Sequence, residues 1–339
     1  MRHLGIAAAF GLSALAFAAP AGAQGPSAQG YEFKTINLVV GATPGGGYDA
    51  YTRLLARSYG KYLPGNPNII VQNMPGSGSL KAVLYLDTTA PKDGSVITAF
   101  NPGVIVESLV TPEKINFKLS DVAWVGSITA DLRVCYAWHT TGVKTWDDLM
   151  KRANFNIGTQ QTGSSSYNNA ATLKNLYGAK IKIVTGYPGS AEERLAIERG
   201  ELDGGCGAWS SNPPSWLAEN KITPIVKFAP GPIPNLPDSV PFAGSFLKND
   251  DDKTVLKLLT AADEVGRPYV ASKAVPQDRL ALLRKGFDQA VKDPQFVAEA
   301  AKADLPIVGT IDGAAAERII AEIYGAPPRL IEKAKETVR

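Results

Sequence analysis

The chain has 339 residues, of which 45% are hydrophobic and 20% are charged, and its formal net charge is +3. This composition is typical of a soluble globular protein rather than a disordered or fibrous one. The length predicts two domains of about 100–200 residues each. The near-balanced charge, with no basic stripe along the sequence, argues against nucleic acid as a partner.

The first residues predict an export signal. A short basic start over 1–3 precedes an apolar run over 4–18, which is too short to span a bilayer comfortably. Ala21-Gly22-Ala23 then supplies the small residues that a signal peptidase requires. We predict a signal peptide over residues 1–23, cleaved after about Ala23 with Ala18 as the alternative, and a mature protein in the periplasm. A membrane anchor is the competing interpretation.

The next segment predicts a first α/β unit. Strand-like runs over 36–41, 69–72 and 95–100 alternate with segments of helical periodicity. Glycine loops over 44–49 and 76–79 join the first two strands to the helices that follow them. Strands that alternate with helices indicate a parallel sheet covered on both faces.

The pattern then restarts and ends in helices. A second α/β unit spans 125–227 and contains two more loops of the same kind, 159–166 and 187–190. A proline-rich segment over 230–241 follows, and the rest of the chain reads as helices. These helices lack enough strands to form a domain alone. We therefore predict a discontinuous first domain, 30–124 plus 228–339, with the second domain, 125–227, inserted and the ligand cleft between them.

Few catalytic chemistries fit the sequence. The mature chain has one histidine, His139, and neither a G-x-S-x-G elbow nor a His/Cys cluster suited to a metal. The stretch from Gly45 to Ala50 formally fits a dinucleotide-binding G-x-G-x-x-A motif. However, Asn73 stands where an acid would hold the ribose, and Asp49 would place a carboxylate near the pyrophosphate. We predict no cofactor, no metal and no enzyme activity.

Anion capture is the chemistry that the glycine loops favour. A helix N-terminus presents unpaired N–H groups and the positive end of the helix dipole, so it can hold a carboxylate without a cationic side chain. The four loops lie two in each unit, and hydroxyl side chains stand beside their glycines. Two such units facing each other could grip an acid at both ends. Ordinary turns between strand and helix are the competing interpretation of each loop.

Four stretches together resemble one family. They are "VVGATPGGGYDAYTRLLARSYGKYLPGNPNIIVQNMPGSGSLKAVLYL", "APKDGSVITAFNPG", "GTQQTGSSSYNNAATL" and "YPGSAEERLAIERGELDGG". They are similar to motifs of the periplasmic solute-binding proteins of tripartite tricarboxylate transporters, the Bug or TctC-like proteins. The resemblance implies a two-domain, type II-like Venus-flytrap fold in which each domain is a mostly parallel sheet flanked by helices. It further implies a monomer that closes on a small carboxylate and delivers it to the membrane components of the transporter.

The resemblance also implies most of the candidate site. The family's carboxylate-binding loops and its G-x-x-D motif match Gly46, Gly47, Asp49, Ser77, Gly78, Ser79, Thr159, Gly163, Ser164, Ser165 and Asp203. To these we add the loop neighbours Tyr48, Asn101, Thr162, Tyr187, Pro188 and Gly189, and the aromatic Trp209. Asp49 is expected to order the helix start or to hold a bridging water rather than to touch the anion.

Several questions stay open at the level of sequence. Gln160 and Gln161, together with the stretch "GCGAWSSNPPSW", depart from the family pattern and leave the ligand open among dicarboxylates, citrate, aromatic acids and amino acids. A ligand sensor and an exported enzyme acting on a carboxylate are the competing functions. Cys135 and Cys206 lie on predicted strands of the second domain, where they could form a disulfide or remain two free thiols.

Overall fold

The computed structural model describes Met1 and residues 30–113, 115 and 117–339. The predicted signal peptide after Met1, with both candidate cleavage sites, lies outside the described residues. Within the described part of the chain, none of the helices is both long and apolar enough to cross a membrane.

The chain alternates strands and helices as the sequence predicts. The strands are β1 (Thr35–Val40), β2 (Asn68–Asn73), β3 (Val96–Ala99), β4 (Val122–Ser127), β5 (Arg133–Trp138), β6 (Phe155–Gly158), β7 (Ile181–Val184), β8 (Gly204–Ala208), β9 (Ile222–Lys227), β10 (Pro268–Ser272) and β11 (Ile311–Asp312). The helices are α1 (Gly47–Tyr59), α2 (Leu80–Thr88), α3 (Gly103–Val110), α4 (Trp146–Lys151), α5 (Ser165–Asn175), α6 (Ser190–Glu198), α7 (Pro214–Ala218), α8 (Asp250–Ala261), α9 (Gln277–Ala290), α10 (Pro294–Lys302), α11 (Gly313–Tyr324) and α12 (Pro328–Thr337).

These strands form two sheets. The first has the order β11-β4-β10-β3-β1-β2 and the second has the order β7-β6-β8-β5-β9. In the first sheet, β1 pairs in parallel with β2 and β3, whereas β10 pairs antiparallel with β3 and β4. In the second, β6 pairs in parallel with β7 and β8, whereas β5 pairs antiparallel with β8 and β9. Two helix-flanked sheets confirm the α/β class.

Both sheets are mixed, yet most strands in each run in one direction, as predicted: β10 and β11 oppose the other strands of the first sheet, and β5 opposes those of the second. β5 and β10 each follow a crossing of the chain between the sheets, whereas β11 pairs antiparallel with β4 at the edge of the first sheet. β5 follows β4 with no helix between them, so the right-handed β-α-β connection that enforces parallel pairing does not apply to it. Alternation of strands and helices in the sequence does not reveal this exception.

Helices cover both faces of the first sheet. Successive residues of a strand point to opposite faces, and in β1 the side chains on both faces are apolar and buried against helices. Ile36 and Leu38 of β1 share a buried cluster with Tyr51 of α1. Val39, which points to the other face, packs in a second cluster with Val83 of α2. The sheet is therefore the middle layer of three, and this arrangement holds the loops at its strand ends in fixed positions.

The chain crosses between the sheets twice, and the two crossings are hydrogen-bonded together. The Ile128 N–H donates to the Arg267 carbonyl at 3.2 Å, and the Arg267 N–H donates to the Thr129 carbonyl at 3.0 Å. The Asp131 N–H donates to the Asp263 carbonyl at 2.7 Å. These antiparallel contacts make a two-stranded connection, which is the element about which the two sheets could move relative to each other.

Two observations bear on the predicted domain bounds, 30–124 plus 228–339 and 125–227. The predicted boundary between 124 and 125 falls inside β4, which pairs with β10 across its length. The proline-rich segment packs on the second sheet, because Ile233, Leu236 and Val240 share a buried cluster with Val134. We therefore propose that the first crossing follows β4 and that the segment after β9 belongs with the second unit.

Cys135 and Cys206 form a disulfide within the second sheet. The two residues lie directly opposite each other on β5 and β8, with their Cα atoms 4.0 Å apart. The bond joins β5, which follows the first crossing, to β8, and its two cysteines are 71 positions apart in the sequence. It therefore fixes the centre of the second sheet.

Candidate functional site

A small cavity lies where loops of the two sheets face each other. Its volume is about 40 Å³. Most of its lining side chains are polar or charged, which suits a small hydrophilic ligand rather than an apolar one. The lining residues are Tyr48, Asn101, Asp131, Arg133, Tyr136, Gln160, Ser166, Ser190, Glu193, Arg194, Gly207, Ala208, Ser211, Asn212 and Arg267.

The two sides of the cleft are in contact around this cavity. The side-chain oxygen of Asn101, which follows β3, accepts hydrogen bonds from the N–H and hydroxyl of Ser165 at 3.1 and 2.8 Å. The Thr43 hydroxyl, after β1, donates to the carboxylate of Glu192 at 3.1 Å. Arg194 donates to the Gly45 carbonyl at 3.4 Å. The cleft is therefore closed.

The first glycine loop is packed against groups from across the cleft. A Cβ atom on Gly47 would lie 2.3 Å from the Ser211 hydroxyl oxygen and 3.0 Å from Arg267 Nη2. A Cβ on Gly46 would lie 3.2 Å from the Ser190 hydroxyl oxygen. The φ angle is positive only at Gly45 in this loop, at 81°. Gly46 and Gly47 are thus required for close approach, not for an unusual backbone conformation.

Tyr48 is held by charged groups. Its ring lies 4.4 Å from the guanidinium of Arg267, within cation–π distance. Its hydroxyl donates to Asp131 Oδ2 at 3.1 Å. Burial, with the nearby Asp131 carboxylate, raises the pKa of the Tyr48 phenol above its ordinary value. Tyr48 therefore remains a hydrogen-bond donor at every physiological pH.

Asp49 orders the loop instead of lining the cavity. Its carboxylate accepts hydrogen bonds from the Gly45 N–H at 2.9 Å, from Arg53 Nε at 3.0 Å and from Asn73 Nδ2 at 2.9 Å. Burial alone would raise the pKa of Asp49, but these hydrogen bonds outweigh burial and the pKa lies below its ordinary value. The carboxylate is ionised and fully engaged, so it fixes the start of α1.

The second loop connects strand ends and reaches the other unit. Ser77, Gly78 and Ser79 all have positive φ, at 47°, 60° and 85°. Ser79 is buried, donates to the Gly41 carbonyl at 2.8 Å and accepts from the Asn101 N–H at 3.0 Å. A Cβ on Gly78 would lie 3.4 Å from the Cβ of Ser164, whereas Ser77 is exposed. This loop positions Asn101 and closes the cleft without lining the cavity.

The third loop supplies the opposite side of that contact. Ser164 caps α5, its hydroxyl accepting from the Tyr167 N–H at 3.3 Å, and Ser165 contacts Asn101. Gly163 approaches Glu107, and Thr162 is exposed beside the same glutamate. The predicted Thr159 is buried near the cleft, and its hydroxyl has no partner among the described residues.

The remaining predicted residues lie outside the cavity. A Cβ on Gly189 would lie 2.2 Å from the Thr43 hydroxyl oxygen, so this glycine permits contact between the units. Asp203 accepts from the Asn156 backbone and side-chain nitrogens at 2.7 and 2.9 Å and joins two strands. Trp209 packs in a buried cluster with Trp216. Tyr187 and Pro188 do not line the cavity.

Among the predicted site residues, only Tyr48 and Asn101 line the cavity. The sequence interpretation missed a charged network at the crossings. Arg133 donates Nε to Asp263 Oδ1 at 2.9 Å and Nη2 to Asp131. Arg267 Nη1 lies 3.0 Å from Asp131 Oδ1. Burial would lower the pKa of Arg133, but the two carboxylates outweigh burial and raise it, so Arg133 stays charged.

Several polar atoms around the cavity have no hydrogen-bond partner among the described residues. They are Arg267 Nε, Asn212 Nδ2 and Glu193 Oε1, whereas Arg267 Nη1 is paired with Asp131. Burial raises the pKa of Glu193 to about 8, although the charges of Arg133 and Arg194 act in the opposite direction. A buried polar atom without a partner costs free energy. This set therefore indicates where a polar ligand would bind.

A larger hollow of about 400 Å³ lies beside the crossings, between Leu132, Phe228 and Leu256. Its lining is mainly apolar and includes none of Arg267, Asn212 and Glu193, which carry the unpartnered atoms. The smaller cavity is the better candidate site because its lining brings together donors, acceptors and loops from both units. Within the described ranges, no group of side chains could hold a metal ion.

The fold matches solved structures of periplasmic binding proteins. BugD superposes with a TM-score of 0.72 at 19% identity over 91% of this chain and 98% of BugD. MatC from Rhodopseudomonas palustris, solved with malate, gives 0.70 at 18% identity over 91% of this chain and 100% of MatC. The R. palustris protein Rpa4515, solved with adipate, gives 0.56 at 19% identity over 80% of this chain and 97% of Rpa4515. No protein-family model and no curated protein sequence matches the chain.

Proposed function

We propose that this chain is a periplasmic solute-binding protein that captures a small carboxylate and delivers it to the membrane components of a tripartite tricarboxylate transporter. It acts by binding and closure, as a monomer, without converting its ligand. The ligand class is a di- or tricarboxylate, or another small organic acid.

The observation that carries this proposal is the set of unpartnered donors in the closed cleft. Arg267 Nε and Asn212 Nδ2 are buried without hydrogen-bond partners in the described structure. Hydrogen bonds between a guanidinium and a carboxylate are strong because both groups are charged. A carboxylate would therefore remove the cost of leaving these donors unsatisfied.

Two further features support binding by closure. Contacts that join the two units surround the cavity, so a bound ligand would be enclosed and would favour the closed form. The fold is that of binding proteins, two of which were solved with malate and with adipate. Both of those ligands are dicarboxylates, which is the class that donors in such a cleft would select.

A thermal-shift screen followed by calorimetric titration tests the proposal. The screen would include malate, adipate, citrate, succinate and benzoate, with the corresponding uncharged amides as controls. A ligand at a hundred times its Kd should add about 2.7 kcal/mol to the free energy of unfolding. Stabilisation by an acid but not by its amide is expected. Failure of every acid to stabilise or to bind would refute carboxylate capture.

A further inference from the structure

Glu193 is a buried acid in a cleft that should receive an acid. It lies in the first turn of α6, and only 8% of its surface is exposed. Its Oε1 atom has no hydrogen-bond partner among the described residues, and it lines the same cavity as Arg267 and Asn212. A simple acid offers no hydrogen-bond donor to the unpartnered Oε1 atom, so a site for a simple acid does not need this group. Its presence therefore requires an explanation.

The charged neighbours of Glu193 do not neutralise it. Arg133 and Arg194 are close enough to lower its pKa, but neither lies within ion-pair distance of it. Arg133 instead pairs with Asp131 and Asp263, and Arg194 donates to backbone carbonyls and to Ser190. The other titratable and charged groups that line the cavity or adjoin Glu193 are Tyr48, Asp131, Tyr136, Tyr187, Glu192 and Arg267.

The unpartnered atoms of the cavity include both hydrogen-bond donors and a hydrogen-bond acceptor. Arg267 and Asn212 offer donors, whereas Glu193 offers an acceptor with no donor facing it among the described residues. A ligand that satisfies all of them carries both a carboxylate and a group that donates hydrogen bonds. A protonated amine satisfies this requirement best, because its positive charge favours the ionised form of Glu193, which burial alone disfavours.

We propose that the cleft selects an amino acid, whose carboxylate meets Arg267 and Asn212 and whose ammonium group meets Glu193. This inference rests on the proposed function, since it names the kind of carboxylate that the same cleft captures. Glu193 is then the residue that distinguishes an amino acid from the matched acid that lacks the amino group.

The test is calorimetric titration with matched pairs of ligands. The pairs are L-aspartate and succinate, L-glutamate and glutarate, L-2-aminoadipate and adipate, and L-phenylalanine and 3-phenylpropanoate. In at least one pair the amino acid should bind about 10- to 100-fold more tightly than its partner, which is the range expected for one hydrogen bond to a charged group.

Variants at neighbouring positions separate the role of Glu193 from a general effect on α6. Glu193→Gln keeps the shape and removes the charge, so it should weaken binding of the amino acid about 10- to 100-fold and change binding of its partner by less than about threefold. Glu192→Gln is the matched comparison: its carboxylate accepts from Thr43 in a contact that closes the cleft and does not line the cavity, so this variant should weaken the amino acid and its partner equally and retain the preference. Glu193→Asp keeps the charge and should retain part of the preference. Thermal unfolding checks that each variant is folded.

The outcomes distinguish this inference from the proposed function. If succinate, glutarate, adipate or 3-phenylpropanoate binds as tightly as its amino acid in every pair, carboxylate capture stands and selection by Glu193 is wrong. The same conclusion follows if Glu193→Gln binds the amino acid like the parent, which is the result expected if a protonated Glu193 donates to a ligand carboxylate. If no member of any pair binds, both proposals are wrong.

Discussion

Asn101 and Ser165 lie on opposite sides of the cleft and are joined by two hydrogen bonds. The Asn101 side-chain oxygen accepts from the Ser165 N–H at 3.1 Å and from its hydroxyl at 2.8 Å, and it also accepts from the Gly103 N–H at 2.8 Å. One buried oxygen thus organises the start of α3 and closes the two units on each other.

Asn101→Ala should weaken ligand binding because the closed form loses this acceptor and leaves buried N–H groups unsatisfied. We expect a loss of about 1–3 kcal/mol in binding free energy. Ser165→Ala keeps the backbone donor and should cost less. Calorimetric titration gives both values, and small-angle scattering with ligand present reports closure. Equal affinities in the parent and both variants would contradict a role for this contact in closure.

Gly47→Val should abolish closure while the fold persists. The added side chain would collide with the Ser211 hydroxyl and with Arg267, both of which belong to the cavity lining. The φ angle of Gly47 is not positive, so the substitution does not strain the backbone in the way it would at Gly45. Gly231→Ala is the control, because a Cβ there meets nothing within 4 Å. Parental affinity in folded Gly47→Val would disprove the requirement for close approach.

Ser164→Ala should lower the stability of the protein, whereas Ser166→Ala should lower its affinity for the ligand. Ser164 caps α5, so its loss should lower the free energy of unfolding by about 0.5–2 kcal/mol. Ser166 lines the cavity, so its replacement should act on affinity. Denaturant unfolding and calorimetric titration on both variants separate the two effects. Loss of affinity in Ser164→Ala at unchanged stability would instead indicate that its hydroxyl binds the ligand.

Glu193 should make the stability of the ligand-free protein depend on pH. Burial raises the pKa of Glu193 from the ordinary 4.5 to about 8. The folded state therefore holds this proton more tightly than the unfolded state does, and stability should fall as pH rises between these two values. Glu193→Gln cannot ionise, so its stability relative to the parent should increase from pH 5 to pH 8 and then level. Parallel stability curves measured by denaturant unfolding would argue against the raised pKa.

Removal of the disulfide should destabilise the protein without changing its ligand. Cys135 and Cys206 are separated by 71 positions, and the chain-entropy model gives about 4 kcal/mol for a loop of this length. Neither residue lines the cavity. The double variant with alanine at both positions should therefore unfold at lower denaturant concentration and retain its affinity. A midpoint equal to that of the oxidised parent would contradict this expectation.

The sequence predicted the class of the fold because its signals are local. Glycine loops between apolar runs and helical periodicity, as in the segment from Val39 to Leu55, depend on neighbouring residues only. The antiparallel entry of β5 and β10 was not predictable in this way, since it depends on where the chain crosses between sheets. The same reason explains why the predicted boundary fell inside β4.

The candidate site was only partly predictable. The glycine loops pointed to the right region, and Gly47 and Asn101 do lie at the cleft. Arg133, Glu193 and Arg267 carry its charge, yet each is a single charged residue with no motif around it. Their importance comes from burial and from proximity between segments far apart in sequence, and neither property can be read from composition or spacing.

The position of β10 has a consequence for how the chain is assembled during synthesis. This strand lies between β3 and β4, so the centre of the first sheet stays open until residues 268–272 are available. All five strands of the second sheet come from one continuous stretch, 133–227, and are complete earlier. Until β10 is available, β3 and β4 have no strand between them and the first sheet is incomplete. Newly made chains should accordingly be most prone to mispairing before the last third has been translated.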